Sequence, residues 1–319
     1  MISLFIKKLV TYNAILGLVL GCNPHSGESI ENFGDKVKLN SLPKNTNNSN
    51  AIYFGFDLRA SPQEDARQYL PFLEYLQETT GYQFKLKFTP ANSSIIDELG
   101  RGHVQFAAIG ADTYLKAHET YGVVSLVRGK NQLNEANYRS MIVVSPDSAI
   151  KSIQDIKNKS FAFGNINSTQ GHLIPRIIMS ENNITLNDLA KYEYTGSHRN
   201  CANAVITKKY DACGLQDTMA LALSENGQVK IIHNSRYYPS SGIAANANVD
   251  KEVLNNILNA LIKFDPLNKH KSKLYNWHKT EMPKGFEIAK PSDYAELREW
   301  SIKLGVLNVS RSNINTKEL

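Results

Sequence analysis

The sequence is poor in cysteine, proline and glycine, and it has no long hydrophobic run. Its 319 residues include three cysteines, 11 prolines and 19 glycines. Three cysteines are too few for a disulfide scaffold. With 42% hydrophobic residues, so little proline and glycine excludes a disordered or collagen-like chain. No apolar run reaches the roughly 18 residues of a membrane-spanning helix. We therefore expect a globular protein with room for two domains.

The sequence also has little charge bias and none of the common catalytic motifs. The formal net charge is +6, and no dense lysine and arginine stripe suited to nucleic acid is present. The chain has no G-x-S-x-G elbow, no H-E-x-x-H and no C-x-x-C, and its eight histidines show no paired ligand spacing. We expect no enzyme activity, no metal, no cofactor and no nucleic-acid partner.

The first 22 residues have the pattern of an export signal. Lys7 and Lys8 precede a short apolar core at residues 14–20, and the segment ends in Val-Leu-Gly-Cys, which resembles a bacterial lipobox. This predicts a signal peptide over residues 1–21 and lipidation of Cys22, with the alternative of a buried cysteine at the edge of an ordinary helix. Residues 22–49 predict a flexible tether. The predicted location is extracytoplasmic or periplasmic, lipid-anchored to the cell membrane.

Two readings stay open for the other cysteines, Cys201 and Cys213. In an oxidising compartment they could pair. We expect them to be two buried free thiols.

From residue 51 onward, strand and helix patterns alternate. Strands are predicted at 51–57, 82–88, 104–110, 123–129, 140–146, 160–164, 191–196, 211–215 and 228–235. Helices are predicted from Ser61 and at 93–102, 113–122, 168–180, 197–210, 217–225, 250–263 and 291–304. Repeated strand-helix-strand units predict an α/β protein with two mainly parallel sheets flanked by helices.

The ends of two predicted strands beside Pro146 and Pro239 suggest where the chain passes between two lobes. We expect lobe 1 to comprise residues 50–145 and 240–305, lobe 2 residues 146–239, and a polar tail residues 306–319. Two crossing strands would then form the hinge. Ligands in such folds bind at the carboxyl ends of the strands, facing helix N-termini.

The sharpest local motif is Asn-Ile-Asn-Ser-Thr-Gln-Gly-His at residues 165–172, between a predicted strand and a predicted helix. Free N–H groups there, with the hydroxyls of Ser168 and Thr169, would form a neutral cradle for an anion. Gly171 lets the backbone approach closely. The alternative is a plain serine N-cap. The motif is not a P-loop, because the G-K-[ST] ending is missing.

A second motif, Thr-Gly-Ser-His-Arg-Asn at residues 195–200, has the same strand-turn-helix context. It would point His198 into a cleft as a donor, although a surface histidine is the alternative. Asp217 could accept a proton from a protonated oxyanion, or it could simply cap the helix before Thr218.

These motifs carry a family likeness. The segments YLPFLEYLQETTGYQFKLKFTP, VQFAAIGADTYLKA, FGNINSTQGHLIP, TGSHRN and YDACGLQDT resemble the phosphonate-binding family of periplasmic binding proteins, the substrate-binding components of phosphate, phosphite and phosphonate ABC transporters. The likeness runs from about Ile52 to Ile262. It implies a type II periplasmic-binding fold, in which two α/β lobes close on a ligand.

The resemblance also implies the site. Ser168, Thr169 and Gln170 match the family's phosphonyl-oxygen cradle, with Gln170 in place of a commoner serine, and His198 matches its oxygen-binding histidine. Two family tyrosines fall at Asn92 and Ile109. Family acidic residues, which can hold a ligand amine, fall near Thr218 and Ser241. The predicted ligand-binding residues are Ser168, Thr169, Gln170, Gly171, His198, Asp217, Ser241, Asn92 and Ile109.

The implied function is that of an extracytoplasmic solute-binding lipoprotein of an ABC importer. It would bind phosphate, phosphite or a phosphonate in the interlobe cleft, act as a monomer and deliver the ligand to permease subunits. Lobe 1 would close through the 56–60 loop, residues 92–94 and the 109–113 turn. The substitutions at the tyrosine and acidic positions favour a simple oxyanion over an aminoalkyl phosphonate. The alternative is a sensory lipoprotein that signals to a membrane receptor.

Overall fold

The computed structural model describes residues 51–59 and 61–308. The predicted signal peptide, the lipidation site Cys22, the tether and most of the predicted tail lie outside the described residues. No helix in the described part of the chain combines the length and the apolar character needed to cross a membrane.

The described residues form thirteen strands and eight α-helices, in the predicted alternation. The strands are β1 (Ile52–Phe56), β2 (Phe84–Leu86), β3 (Phe106–Ile109), β4 (Val124–Gly129), β5 (Asn137–Tyr138), β6 (Ser140–Val144), β7 (Ser160–Phe163), β8 (Lys191–Tyr194), β9 (Ala212–Gln216), β10 (Lys230–Asn234), β11 (Tyr238–Pro239), β12 (Gly242–Ala245) and β13 (Phe286–Ile288). The helices are α1 (Pro62–Thr80), α2 (Ile95–Gly100), α3 (Ala111–Tyr121), α4 (Ile174–Glu181), α5 (His198–Ile206), α6 (Asp217–Glu225), α7 (Lys251–Lys263) and α8 (Ala295–Lys303).

Two sheets divide the molecule into the two expected lobes. The first lobe has a six-stranded sheet in the order β13-β4-β12-β3-β1-β2, and the second a five-stranded sheet in the order β10-β6-β9-β7-β8. Local signals in the sequence set the helix ends: the Ser61 hydroxyl accepts from the Glu64 N–H at 3.3 Å, and Pro62 is the first residue of α1.

The prediction of mainly parallel sheets needs a correction, because both sheets are mixed. Strands joined through helices pair in parallel: β1 with β2 and β3, and β7 with β8 and β9. The strand that follows each passage between lobes, β6 or β12, instead inserts antiparallel between two strands of the receiving sheet. Such a strand is not joined to its neighbours by a crossover helix, so the rule that makes helix-connected neighbours parallel does not apply to it.

The passage between the lobes lies earlier in the chain than the predicted boundary at 145. Strands β5 and β11 pair antiparallel, with Tyr238 opposite Tyr138, and form the short two-stranded connection. The next strand, β6, which the boundary would assign to lobe 1, pairs with β9 and β10 in the second sheet. Pro146 therefore follows the end of a strand of the second lobe, where a residue without an N–H is tolerated, and does not mark the passage.

The expectation of two free thiols is wrong: Cys201 and Cys213 form a disulfide. Both residues are fully buried, Cys201 in α5 and Cys213 in β9, with their Cα atoms 5.9 Å apart. This separation is ordinary for a disulfide and arises from the packing of α5 on the sheet, which the spacing in the sequence does not fix. The bond joins the helix that begins at His198 to the second sheet.

Residues 264–290, which the sequence patterns left unassigned, pack against the first lobe. Trp277 is buried, its ring centroid is 5.0 Å from that of Phe72, and its indole N–H donates to the Met282 carbonyl at 2.9 Å. The hydrogen bond closes a short loop whose base is the aromatic core. That loop carries Glu281.

Candidate functional site

A cavity of about 350 Å³ lies between the lobes. Its walls come from segments that follow β1, β3, β7 and β8, so the ends of several parallel strands meet there, as expected for this fold class. Second-lobe residues on its wall include Asn165, Ser168, Thr169, Gln170, Ser197 and His198. First-lobe residues include Phe56, Asp57, Arg59, Gly110, Ser241 and Glu281.

The second-lobe wall contains the predicted cradle. After β7 the chain forms a π-helical turn, Thr169–Leu173, that continues directly into α4. The Ser168 hydroxyl accepts from the Gly171 N–H at 2.9 Å. The N–H groups of Thr169 and Gln170 have no acceptor among the described residues. These unpaired donors at a helix N-terminus are the groups that bind oxyanions.

Gly171 itself lies behind the cradle and not on the cavity wall. A Cβ at this position would lie 3.0 Å from both His198 Cε1 and Ser168 Oγ, and 3.2 Å from Gly164 Cα. The absence of a side chain therefore brings the two helix N-termini of the second lobe close together.

His198 is the first residue of α5, and its hydrogen bonds fix its tautomer. The Gln216 N–H donates to His198 Nδ1 at 3.4 Å, so the proton of the neutral ring is on Nε2. Nε2 lies 3.4 Å from Ser168 Oγ, on the cavity side. Burial lowers the pKa of His198 to about 4. The ring is thus a neutral donor beside the cradle at physiological pH.

The two lobes meet at the edge of the cradle. The Asp112 N–H, in the first turn of α3, donates to Thr169 Oγ1 at 2.8 Å, which leaves the proton of that hydroxyl for another acceptor. Lys116 Nζ bonds both Asp112 Oδ2 at 2.8 Å and Asn167 Oδ1 at 2.9 Å. Burial raises the pKa of Asp112 to about 6, although the charge of Lys116 opposes the shift. These contacts connect α3 of the first lobe directly to the second-lobe turn that carries Asn167 and Thr169.

The first-lobe wall carries charged side chains. Arg59 Nη1 forms an ion pair with Glu281, and the Ser241 hydroxyl donates to the same carboxylate. Nε and Nη2 of Arg59 are buried and have no partner among the described residues. Asp57 accepts from the Gly110 N–H at 2.8 Å, and burial raises the pKa of its carboxyl although Arg59 partly offsets the shift. Two carboxyl groups and one guanidinium thus face the second-lobe donors.

The structure brings together most, but not all, of the predicted site residues. Ser168, Thr169, Gln170, His198 and Ser241 line the cavity. Asp217 lies behind Gln170, accepting from its side-chain amide at 3.4 Å, and lines an adjoining cavity of about 80 Å³. Burial raises the pKa of Asp217.

Besides Gly171 and Asp217, two further predicted positions are not on the cavity wall. Ile109 is buried in β3, opposite Gly242, and contributes to the core. Asn92 is exposed in the turn before α2, whereas its neighbours Ser93 and Ser94 line the cavity. The two tyrosine positions carried over from the resemblance therefore do not line the cavity. Residues 56–59 and 93–94 do line the cavity, and closure of the first lobe through these loops stays a prediction.

Sequence reasoning missed the individual roles of Asp57, Arg59, Tyr138 and Glu281. Asp57 and Arg59 come from a loop that the sequence predicts to border the cleft. Two charged residues in such a loop could have identified them as site residues. Tyr138 lies on the connecting strand β5, and Glu281 on the loop closed by Trp277. No local motif marks these two residues, since only the tertiary fold brings them to the cavity.

The two-lobed α/β architecture, the two-strand connection and an interlobe cavity lined by helix N-termini define a type II periplasmic binding protein. The model of the family described as "ABC transporter, phosphonate, periplasmic substrate-binding protein" matches residues 54–294. This chain belongs to that family, the periplasmic phosphonate-binding components of ABC transporters.

Individual relatives agree with this assignment. The chain is 25% identical over 234 residues to the phosphonates-binding periplasmic protein of Escherichia coli (strain K12), covering 70% of this chain and 69% of the relative. The structure of PhnD1 from Prochlorococcus marinus (MIT 9301) in complex with methylphosphonate is similar with a TM-score of 0.71 at 16% identity, over 81% of this chain and 99% of that one. A binding protein component of an ABC phosphonate transporter from Pseudomonas aeruginosa gives a TM-score of 0.69 at 23% identity, over 80% and 86%.

Proposed function

We propose that this protein binds a simple phosphorus oxyanion, an alkylphosphonate, phosphate or phosphite, in the interlobe cavity and delivers it to the permease of an ABC importer. The observation that carries the proposal is the convergence of two helix N-termini on one wall. Unpaired N–H groups of Thr169 and Gln170, the Ser168 hydroxyl and the neutral Nε2–H of His198 all point to one anion site. Dipoles held in this way replace the hydration of an oxyanion.

A simple oxyanion is favoured over an aminoalkyl phosphonate. Ser241 and Thr218, which stand near the family's acidic positions, are neutral. Glu281 is the carboxylate bonded to Ser241, and Arg59 already takes its charge. The E. coli relative is a phosphonates-binding protein and the P. marinus structure is a complex with methylphosphonate, which supports the same chemical class here.

The mechanism we propose is binding without catalysis. The cradle holds the anion, and α3 and the 56–60 loop of the first lobe close over it. The ligand favours the closed form because only that form contacts it from both lobes. The permease then recognises the closed, ligand-bound form.

Lipidation at Cys22, with residues 22–49 as a tether, is the proposed attachment to the membrane. The buried disulfide supports an oxidising, extracytoplasmic compartment. The full chain expressed in a bacterial host should incorporate labelled palmitate and sediment with membranes. Cys22→Ser should lose the label and move to the soluble fraction; unchanged labelling would contradict the assignment.

A sensory lipoprotein that passes the bound state to a membrane receptor is the second candidate, because the same cavity and closure would serve it. A permease and an ATPase encoded beside the gene would favour transport. A neighbouring sensor kinase would favour signalling.

The test of the proposed ligand class is calorimetric titration of the full chain in mild detergent. Methylphosphonate, phosphite, phosphate, 2-aminoethylphosphonate and sulfate would be compared after exhaustive dialysis in phosphate-free buffer. Tight binding of a phosphorus oxyanion and none of sulfate is the expected result. Absence of binding by every phosphorus compound would contradict the proposal.

A further inference from the structure

The first-lobe wall has the wrong sign of charge for a site that binds an anion. Arg59 and Glu281 neutralise each other in an ion pair. Within the described part of the chain, Asp57 has no salt-bridge partner, and its carboxyl lines the same cavity. A fully ionised ligand beside an ionised Asp57 would therefore meet a like charge, which is costly inside a closed site.

Asp57 stands next to the cradle and not at a remote part of the wall. Gly110 has no side chain, and the point where a Cβ would stand is 3.3 Å from Thr169 Oγ1, 3.7 Å from Asp57 Oδ2 and 3.9 Å from Ser241 Oγ. The carboxylate of the first lobe and the anion-binding hydroxyl of the second lobe thus flank the same point. A ligand oxygen placed between Thr169 and Asp57 could therefore contact both residues.

The groups around Asp57 cancel its charge only in part. Facing it are Arg59 and Glu281, which pair with each other, Tyr69 of α1, and Asp112 and Thr113 of α3. Asp112 is a second acid whose charge is opposed by Lys116. Burial raises the pKa of the Asp57 carboxyl, in keeping with a carboxylate that gains from a proton donor.

We propose that Asp57 selects ligands that bring a proton with them. Its carboxylate accepts a hydrogen bond from an ionisable P–OH group, so that the monoanion of a phosphonate or phosphate fits between Asp57 and the cradle. A sulfonate or sulfate carries no such proton at neutral pH and places an unprotonated oxygen against the carboxylate. This inference rests on the proposed function, because it assigns the selectivity of the same site.

The expected selectivity is large. A site built to hydrogen-bond a ligand hydroxyl rejects the analogue that lacks it much more strongly than a site that differs only in shape. The Asp57 carboxylate has no ion-pair partner among the described residues, so it also repels the wrong ligand. The site thus selects by an unfavourable contact as well as by a favourable one.

Methylphosphonate and methanesulfonate make the sharpest pair of probes, since they have nearly the same shape and differ in the ionisable proton. Calorimetric titration of the full chain at pH 7 would compare the wild type, Asp57→Asn and Asp147→Asn. The control residue Asp147 is an exposed aspartate paired with Lys208 in the second lobe. Asparagine keeps an oxygen that can accept from the Gly110 N–H, so the loop is preserved.

The wild type and the control should prefer methylphosphonate by about 100-fold or more. In Asp57→Asn that preference should fall at least tenfold, mainly through a gain in methanesulfonate affinity. Asp57→Ser serves as a second variant if thermal unfolding shows that Asp57→Asn is not folded.

An unchanged preference in the Asp57 variants, or a wild type that binds both probes equally, would overturn the inference while leaving the proposed function intact. A wild type that prefers 2-aminoethylphosphonate over methylphosphonate, with that preference lost in Asp57→Asn, would also overturn it, because Asp57 would then hold an amine. A wild type that binds no phosphorus oxyanion would instead contradict the proposed function itself.

Discussion

The two walls of the interlobe cavity present different chemistry to the same space. The second-lobe wall offers neutral donors from helix N-termini, held by backbone hydrogen bonds and a disulfide-linked helix. The first-lobe wall offers two carboxyl groups and a guanidinium, drawn from loops that are distant in the sequence. From this difference we infer that the second lobe binds the oxyanion and that the first lobe discriminates ligands by their charge and substituent.

Removing the second-lobe hydroxyls should have the largest effect on binding. Ser168→Ala with Thr169→Ala deletes two hydrogen bonds to an anion, each contributing about 1.5–3 kcal/mol. Methylphosphonate affinity should fall about 10²- to 10⁴-fold in calorimetric titration. Ser145→Ala with Thr207→Ala, hydroxyls of the same lobe outside the cavity, is the matched control. Unchanged affinity would contradict the contrast between the two walls, since groups other than these hydroxyls would then bind the oxyanion.

The disulfide should stabilise the second lobe more than it affects binding. The cross-link spans 12 residues, and closing a loop of about that size stabilises a protein by about 3 kcal/mol. Cys201→Ala with Cys213→Ala should lower the free energy of unfolding in urea by about that amount. Reductant should destabilise the wild type but not the variant. A loss below about 1 kcal/mol would show that α5 needs no covalent support.

Arg59 and Glu281 should stabilise the fold as a pair, because each offsets the charge of the other. Arg59→Gln leaves the partly buried Glu281 carboxylate without its partner and should lower the free energy of unfolding by about 2 kcal/mol. Arg59→Gln with Glu281→Gln should recover most of the loss in urea unfolding. If the two effects simply add, the groups do not act as a pair and Arg59 does not neutralise Glu281.

The smallest expected effect is a difference in acid sensitivity between the lobes. The pKa of His198 is lowered to about 4 by burial. The neutral side chain therefore contributes fully to the stability of the fold above pH 6.5, and that contribution is lost as the pH falls toward 4. The pKa of Asp112 is raised to about 6 by burial, so its protonation favours the folded state as pH falls below 6.

Between pH 7.5 and 5, His198→Gln should therefore reduce the acid-induced loss of unfolding free energy by about 1–2 kcal/mol. Asp112→Asn should increase that loss. Urea unfolding at the two pH values measures both. If both variants leave the acid-induced loss of unfolding free energy unchanged, the pKa of neither His198 nor Asp112 is shifted as the burial of these groups implies.

The sequence carried more information about the second-lobe wall than about the first. Ser168, Thr169 and His198 belong to local strand-turn-helix motifs, and a short motif predicts both the helix start and its free donors. The alternation of strands and helices was likewise predictable from local periodicity.

The first-lobe wall depends on tertiary packing. Glu281 reaches the cavity because Trp277 anchors its loop in the aromatic core, and nothing in the segment 264–290 indicates that. Asn92 and Ile109 do not line the cavity, because the resemblance fixed loop positions and not side-chain directions. The mixed strand directions depend on where the chain enters each sheet after crossing between the lobes, and the Cys201–Cys213 bond depends on how α5 packs on its sheet. Local patterns encode neither.

The most direct test of the account is a crystal structure of the protein with methylphosphonate bound. The account predicts phosphonyl oxygens within hydrogen-bond distance of the Thr169 and Gln170 N–H groups, the Ser168 hydroxyl and His198 Nε2, with one oxygen also bonded to Asp57. A ligand held instead in the adjoining cavity beside Asp217, or only by first-lobe groups, would contradict it.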